Sequence, residues 1–552
     1  MEIECTPYGT GQAEEGICLL VKMGPYRILL DCGLTDLQVL RDQIPLGLAP
    51  DAPPPIDLVL CSHAHPDHAR SLLALHEALP QVPLYASEAT AQLLALNWLT
   101  PTLETVPHFW RALPWRSPLE FQPGLTVELW PAGHLPGAAA ILLSYTPLPE
   151  HPAFAEQPGR TYRLFYTGDF FLSSTRLVEG LPLEELRGLK PDVLILEGTY
   201  GTARHPRRRQ QENQLAERIH QALTAGYCIL MPVPMLGLGQ DLLMLLRSHH
   251  LFTGRDLDIW VDGQVALGCD AYLELLPYLP SNVQNFARHQ PLFWDDRIRP
   301  RVRRLHGGNR QSVGQTPCIV LTDLTIDWQS YQTNPAVSWL VLISEQPDHR
   351  PDLAIHPLPI SMPPTWAIAS YLLADHCDGA GTTQLIHNLR PQHVVFIHGS
   401  PAYLADLTNL EELQSRYQLH SPAPGKRVEL PIGATFIRPV TTDSAYEGEV
   451  VESDATVSVL LPNRIVTDPR WQKFADTGLV AVRWQGDELV LRGLSQRDIL
   501  NRWDSLPMTE CCALCQHYHN QRCGNPVSPL YHFKVSPEGY CPAYTPPRPQ
   551  SL

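Results

Sequence analysis

Short, densely apolar segments punctuated by turn residues run through the first part of the chain. ICLLVKM (17–23), YRILLD (26–31), IDLVLCS (56–62), VPLYAS (82–87), LTVELWPAGH (125–134), AAAILLSY (138–145), TYRLFYTGD (161–169) and PDVLILEGTYG (191–201) read as strands, most ending at a polar or glycine turn. Between them, ARSLLALHEALP (69–80) and EATAQLLALNWL (88–99) carry the spacing of amphipathic helices. Strands this apolar, interleaved with helices, predict sheets covered by helices, an α/β or αβ-sandwich architecture. The alternation restarts near residue 205. A helix over 207–226, YCILMPV (227–233), a helix over 239–249, LDIWVDG (257–263), TPCIVLTD (316–323) and SWLVLIS (338–344) predict a second α/β unit. A helix over 382–391, the strand HVVFIHG (393–399) and a helix near 402–417 follow. Past about 440, VSVLLP (457–462), LVAVRWQ (479–485) and ELVLRGL (488–494) suggest a small sheet, and SQRDILNRW (495–503) a helix.

Composition narrows the class. With 552 residues, 44% apolar and 18% charged, the chain has room for several globular cores. No run approaches the ~20 apolar residues that cross a bilayer. MEIECTPYGTGQ lacks the basic start and apolar stretch of a secretory signal, so a cytoplasmic location without a membrane partner is expected. Eight of the 13 cysteines are scattered singly from Cys5 to Cys377, as reduced core thiols are. A formal net charge of −16 argues against loose, charge-driven binding to nucleic acid, though not against a local basic groove.

The sharpest chemical feature is His63-Ala-His65-Pro-Asp67-His68, directly after IDLVLCS. Four liganding residues in six positions cannot all point one way from a helix or strand, but a loop at a strand end can fold them around a cation. Imidazole nitrogen with carboxylate oxygen suits zinc, manganese or iron. His134 and Asp169 end two other strands and supply further ligands. Asp169 has two oxygens with which to span a metal pair roughly 3.5–4 Å apart. Asp31, ending YRILLD, is placed to orient a ligand histidine.

Asp31, HAHPDH, His134 and Asp169 together resemble the metallo-β-lactamase superfamily. Glu197 before Thr-Tyr-Gly, the long gap to the next ligand, and ADHCDGAGTTQLIHNLRPQHVVFIHG with His376 and His398 are similar to its nucleic-acid-processing β-CASP branch. The resemblance covers roughly residues 1–440. It implies an αββα sandwich built from 1–203 and 371–440, with a β-CASP α/β domain inserted over 204–370. A small α+β domain over 441–510 and a cysteine-rich region over 511–552 complete the expected organisation. The resemblance also implies that His63, His65 and His134 hold one zinc ion and Asp67, His68 and His398 the other, bridged by Asp169 and a hydroxide; manganese would serve in zinc's place. His376 would contact the scissile phosphate or protonate the leaving oxygen. Glu197 would tune a ligand or His376, so Asp67, His376 and Glu197 are the expected catalytic residues. The implied function is a ribonuclease hydrolysing RNA by attack of the bridging hydroxide. Beyond RNA, the expected partners are a second copy of the chain or a processing complex.

Some segments depart from the branch. Leu238 stands where an arginine is usual, Gly263-Gln264 where serine-proline is common, and LTDLTIDWQSY (321–331) has larger residues than the usual stretch. Arg204, Arg207, Arg208 and Arg209 form one basic cluster, and Arg297, Arg299, Arg301, Arg303, Arg304 and Arg310 another; they are either phosphate grips or solvated surface. The acidic charge and Leu238 favour an alternative, hydrolysis of a small ester or thioester. The inserted length and His376 favour RNA. In the tail, Cys512, Cys515, Cys523 and Cys541, with Cys511 adjacent, read as a structural zinc site or an iron–sulfur cluster, and His517 and His519 keep mixed ligation open.

Overall fold

The computed structural model describes residues 2–433 except 12–14, 43, 45–54, 99–105, 307–309, 325–327, 332–335 and 346–364; beyond them it describes the strands between 451 and 494 and parts of 512–545. The chain divides into two compact units, 1–438 and 439–552.

Two seven-stranded sheets form the centre of the first unit. One runs Val428–Pro431, Glu2–Thr10, Ile17–Met23, Tyr26–Leu30, Leu58–Leu60, Leu84–Ser87, Trp110–Leu113. The other runs Gln418–His420, His393–Ile397, Val193–Glu197, Tyr162–Tyr166, Ala139–Tyr145, Leu125–Pro131, Leu119–Gln122. Side chains alternate between two cores. Ile28, Leu30, Leu58, Leu60, Val193 and Ile195 fill the space between the sheets, while Leu29, Val59, Leu194 and Leu196 join the core that includes helical residues such as Leu72 and Leu75. Burial on both faces explains why these strands read as unbroken apolar runs. The fold is the expected αββα sandwich with an α/β domain inserted.

Strand direction places the chemistry. Tyr26–Leu30 is parallel to Leu58–Leu60, and Tyr162–Tyr166 is parallel to Val193–Glu197 and, through it, to His393–Ile397. Leu125–Pro131 runs the same way, two antiparallel pairings from Tyr162–Tyr166. The residues that follow these strands therefore emerge at one edge of their own sheet. Asp31 and His398 leave their strands with φ of +58° and +50°, a conformation that strains a residue with a side chain and recurs at functional sites.

Glycine lets the HAHPDH loop press against this edge. A Cβ on Gly33 would lie 1.7 Å from the Asp67 carbonyl oxygen and 2.5 Å from the His68 amide nitrogen, both backbone atoms that cannot swing aside. Gly33→Ala is expected to destabilise the first unit by about 3 kcal/mol or more, the upper range for overpacking. A lowered thermal midpoint in calorimetry checks this; an unchanged midpoint contradicts the packing.

A third, six-stranded sheet is parallel throughout, in the order Arg301–Arg304, Asp258–Val261, Ile319–Asp323, Cys228–Val233, Trp339–Ser344, Trp366–Tyr371. Its arginine-rich edge strand is neutralised locally. Arg301 bonds Asp256 and Asp258 at 2.6 and 2.5 Å, Arg303 bonds Asp296 at 2.5 Å, Arg304 pairs with Asp270, and Arg310 bonds Asp262 at 2.8 Å. Arg208 is likewise buried against Asp241 and Glu212. These arginines serve their own domain rather than standing bare for phosphate.

The structure also departs from the sequence expectations locally. The helix expected over 402–417 is two, Pro401–Thr408 and Glu411–Gln414, broken at Asn409-Leu410. The helix over 69–80 divides into Pro66–Ala69 and Leu72–Ala78, and that over 88–99 tightens into a 3₁₀ turn at Leu94–Asn97. Glu2–Thr10, Trp110–Leu113, Leu119–Gln122, Arg301–Arg304 and Trp366–Tyr371 are strands the pattern did not give, and Gly263–Glu274 and Ser281–His289 are unforeseen helices. No helix among the described residues is long and apolar enough to cross a membrane.

In the second unit, Val451–Ser453, Thr456–Ser458, Leu479–Gln485 and Glu488–Leu494 form an antiparallel sheet, and Tyr518–His519 pairs with Arg522–Cys523. The helix expected over 495–503 and Cys511 and Cys541 lie outside the described residues.

Far from the functional edge, two imidazoles meet at the start of His393–Ile397. His393 donates from Nε2 to the Pro431 carbonyl at 2.9 Å, so its Nδ1 accepts from His420 Nε2 at 3.1 Å. Burial, then His393, push His420 down from 6.5 to about 4. A histidine so depressed contributes stability that is complete above about pH 6.5 and drains away as pH falls toward 4, because the unfolded chain takes up the proton more readily. His420→Gln should therefore lose less stability than wild type between pH 7 and 5 when denaturation midpoints are compared; equal losses would remove the pair from the account.

Candidate metal centre

At the edge shared by the two sheets, five histidines converge. Each ties one ring nitrogen to an acceptor outside the cluster. Asp31 accepts from the Ser62 amide at 2.6 Å, the Ser62 hydroxyl at 2.7 Å, Tyr166 at 2.6 Å and His68 Nδ1 at 2.8 Å. With its proton committed to Asp31, Ser62 Oγ accepts from His63 Nδ1 at 3.1 Å. His134 Nδ1 donates to the Asp375 carbonyl at 2.9 Å, and His65 Nε2 to the Leu236 carbonyl at 3.3 Å. Thr199 donates to Glu197, so its oxygen accepts from His398 Nδ1 at 2.8 Å.

The five other ring nitrogens are thereby left with their lone pairs turned inward. His65 Nδ1 lies 3.2 Å from His63 Nε2 and 3.1 Å from His134 Nε2. Asp169 Oδ2 lies 3.5 Å from His63, 3.3 Å from His68, 3.9 Å from His134 and 3.7 Å from His398. Asp67 Oδ2 approaches His398 Nε2 at 3.2 Å. Two groups result, His63-His65-His134-Asp169 and Asp67-His68-Asp169-His398, each with its ligand atoms within 4.8 Å of one another and sharing Asp169.

This donor set fits a pair of cations. Lone pairs packed this closely repel unless a proton or a metal lies between them. His68 Nε2 and Asp169 Oδ1 are buried with no hydrogen-bond partner, a costly state that a cation relieves. Without one, protons divide unevenly. Burial and then His68 hold His63 well below the usual imidazole range. Burial works against a charge on His68, yet Asp169, Asp67 and Asp31 outweigh it and push that imidazole up. Burial would raise the Asp169 carboxyl, but His398 and His68 hold it well below the carboxylate range.

Glu197 and His376 flank the cluster. Glu197 accepts from the Phe170 amide at 2.6 Å and contacts His376 Nδ1 at 2.7 Å, and the His376 ring centre lies 4.5 Å from that of His134. Burial opposes a charge on His376, but Glu197 and Asp375 outweigh it and push the imidazole up to about 10. All seven expected ligands, with Asp31, Glu197 and His376, are thus brought together. Ser62, Tyr166, Thr199 and Asp375 are additions that the sequence did not single out. The first three adjoin strand-end motifs, a usable signal; Asp375 and Leu236 act through backbone carbonyls, which leave none. In the tail, no three ligand-bearing side chains among the described residues converge within 4.8 Å.

A Beta-lactamase superfamily domain matches residues 26–231. The uncharacterized protein sll0514 of Synechocystis sp. is 50% identical, covering 98% of this chain and 96% of that protein. The probable RNase MJ4 of Methanocaldococcus jannaschii is 31% identical over 45% of this chain and 56% of its own length. Ribonuclease TTHA0252 of Thermus thermophilus is 30% identical over 50% of this chain and 62% of its own length. The match thus spans less than two thirds of either ribonuclease. A histidine–aspartate cluster at the sheet edge, the inserted parallel sheet and these similarities agree, and the chain belongs to the metallo-β-lactamase superfamily, in its β-CASP branch.

Proposed function

We propose that the chain is a dinuclear-metal phosphodiesterase that hydrolyses RNA. One observation carries the reading: Asp169 Oδ2 stands within 3.3–3.9 Å of imidazole nitrogens from both ligand groups. His63, His65 and His134 would hold one cation and Asp67, His68 and His398 the other, with Asp169 shared. Two zinc or manganese ions held so would supply a nucleophile from water at neutral pH and offset the charge that develops on a phosphodiester. The rest of the chemistry belongs to the chain. His376, fixed at Nδ1 by Glu197, would give its Nε2 proton to the leaving oxygen. Glu197 also anchors the amide after Asp169 and, through Thr199, the ring of His398.

The similarity to two proteins named as ribonucleases supports RNA over a small ester or thioester. Buried, unbridged thiols from Cys5 to Cys377 support a cytoplasmic location. The spacing of Cys512, Cys515, Cys523 and Cys541 supports a second, structural metal in the tail. The deciding experiment offers the purified protein a labelled single-stranded RNA and, separately, a thioester. RNA cleavage that stops on chelation and returns with zinc or manganese is expected; thioester turnover without RNA cleavage would overturn the reading.

A further inference from the structure

The two ligand groups differ in what holds them. On the Asp67-His68-His398 side, the orienting partners belong to the sandwich: Asp31 fixes His68 and Thr199 fixes His398. On the His63-His65-His134 side, two of three rings are oriented by backbone from the third sheet and its exit. Leu236 lies between the strand Cys228–Val233 and the helix Leu238–Ser248, and its carbonyl takes the His65 Nε2 proton at 3.3 Å. Asp375, whose carbonyl takes the His134 proton, follows the strand Trp366–Tyr371. Its neighbour Ala374 is clamped to the helix Arg208–Thr224, accepting from Arg208 and donating to Gln211 at 2.8 Å.

We infer that the inserted domain is a positioning element for one metal only: the cation of His63, His65 and His134 depends on the contact of the Leu236 carbonyl with His65, while the cation of Asp67, His68 and His398 does not. The inference rests on the dinuclear reading above. A histidine ligand needs its far nitrogen hydrogen-bonded to keep its tautomer and aim. If the Leu236 carbonyl withdraws, His65 loses the bond that keeps Nδ1 unprotonated and pointed inward. The remaining donors of that group, His63, His134 and the shared Asp169, then hold the ion with one ligand fewer.

Gly237 gives access to this contact. Its φ of +93° and ψ of −98° suit glycine alone, and a Cβ there would lie 3.7 Å from His65 Nε2. Any side chain at 237 must therefore move the peptide that carries the Leu236 carbonyl. Gly254 is a matched control, with a φ of +79° in the same domain and open space around it.

The test is a stepwise zinc titration of the full chain against a competing chelator, which reads the two affinities of the first unit, beside that of the tail cysteines, without reference to activity. Gly237→Ala should weaken one of the two by about 10–100-fold and leave the other unchanged, with Gly254→Ala like wild type. Cobalt substitution adds a spectroscopic check, since the visible bands of one site alone should shift. Should the alanine variant not fold, Gln211→Ala replaces it, because it frees the Ala374 amide beside the Asp375 carbonyl that orients His134, a ring of the same group. Two wild-type affinities in Gly237→Ala, or equal weakening of both, overturns the inference while leaving the dinuclear reading intact. Wild type that binds no zinc in the first unit overturns that reading, and this inference with it.

Discussion

Asparagine in place of Asp169 is expected to lower RNA cleavage by at least about 10³-fold, because one atom change removes the charge shared by both ligand groups. The carboxylate is 2% exposed and lies within 3.9 Å of four imidazoles. Asparagine keeps the shape but offers one neutral oxygen, and an NH₂ group turned toward a cation repels it. Zinc retained by the purified variant should fall with the activity. A variant that keeps both its full zinc complement and its cleavage rate would show that the cluster is not the reaction centre.

His376→Gln should separate binding from chemistry. The ring makes no hydrogen bond to Asp67 or Asp169, and its Nδ1 partner is Glu197, so the zinc content should be largely kept. Loss of a positioned proton donor typically costs about 10²–10⁴-fold in rate. That loss should fall on kcat rather than KM, and should be smallest for a substrate whose leaving oxygen needs no proton, such as a nitrophenyl phosphodiester. An equal loss with that substrate would make His376 a ground-state contact instead.

The sequence revealed the ligands because each stands at the end of an unmistakably apolar strand or in the HAHPDH segment that follows one. Val59, Phe165 and Phe396 are buried, and the polar residue after each run has little choice but the sheet edge. The Asp31 role was legible for the same reason. Short or polar strands were not: Arg301–Arg304 has three arginines around one buried valine, Val302, and the arginines pair with aspartates at 256, 258, 270 and 296 that no local pattern connects to it. The sequence left those arginines as either phosphate grips or solvated surface, because the carboxylates that fold back upon them are distant along the chain. The break at Asn409-Leu410 lay hidden because leucines recur every third residue across it, at 404, 407, 410 and 413, while Leu404 and Leu413 belong to two separate helices. Backbone carbonyls such as those of Leu236 and Asp375 are the same atom in every residue, so sequence carries no mark of their use.

Asp31 receives four hydrogen bonds from Ser62, Tyr166 and His68 at 2.6–2.8 Å, and none of them involves a metal. Protein groups alone thus fix the His68 side of the cradle, and the ordering entropy of those groups is spent during folding. Loading becomes an exchange of protons for a cation in a finished socket, so stripping and refilling should be reversible without denaturation, and the ion that occupies it will follow what the surrounding solution supplies.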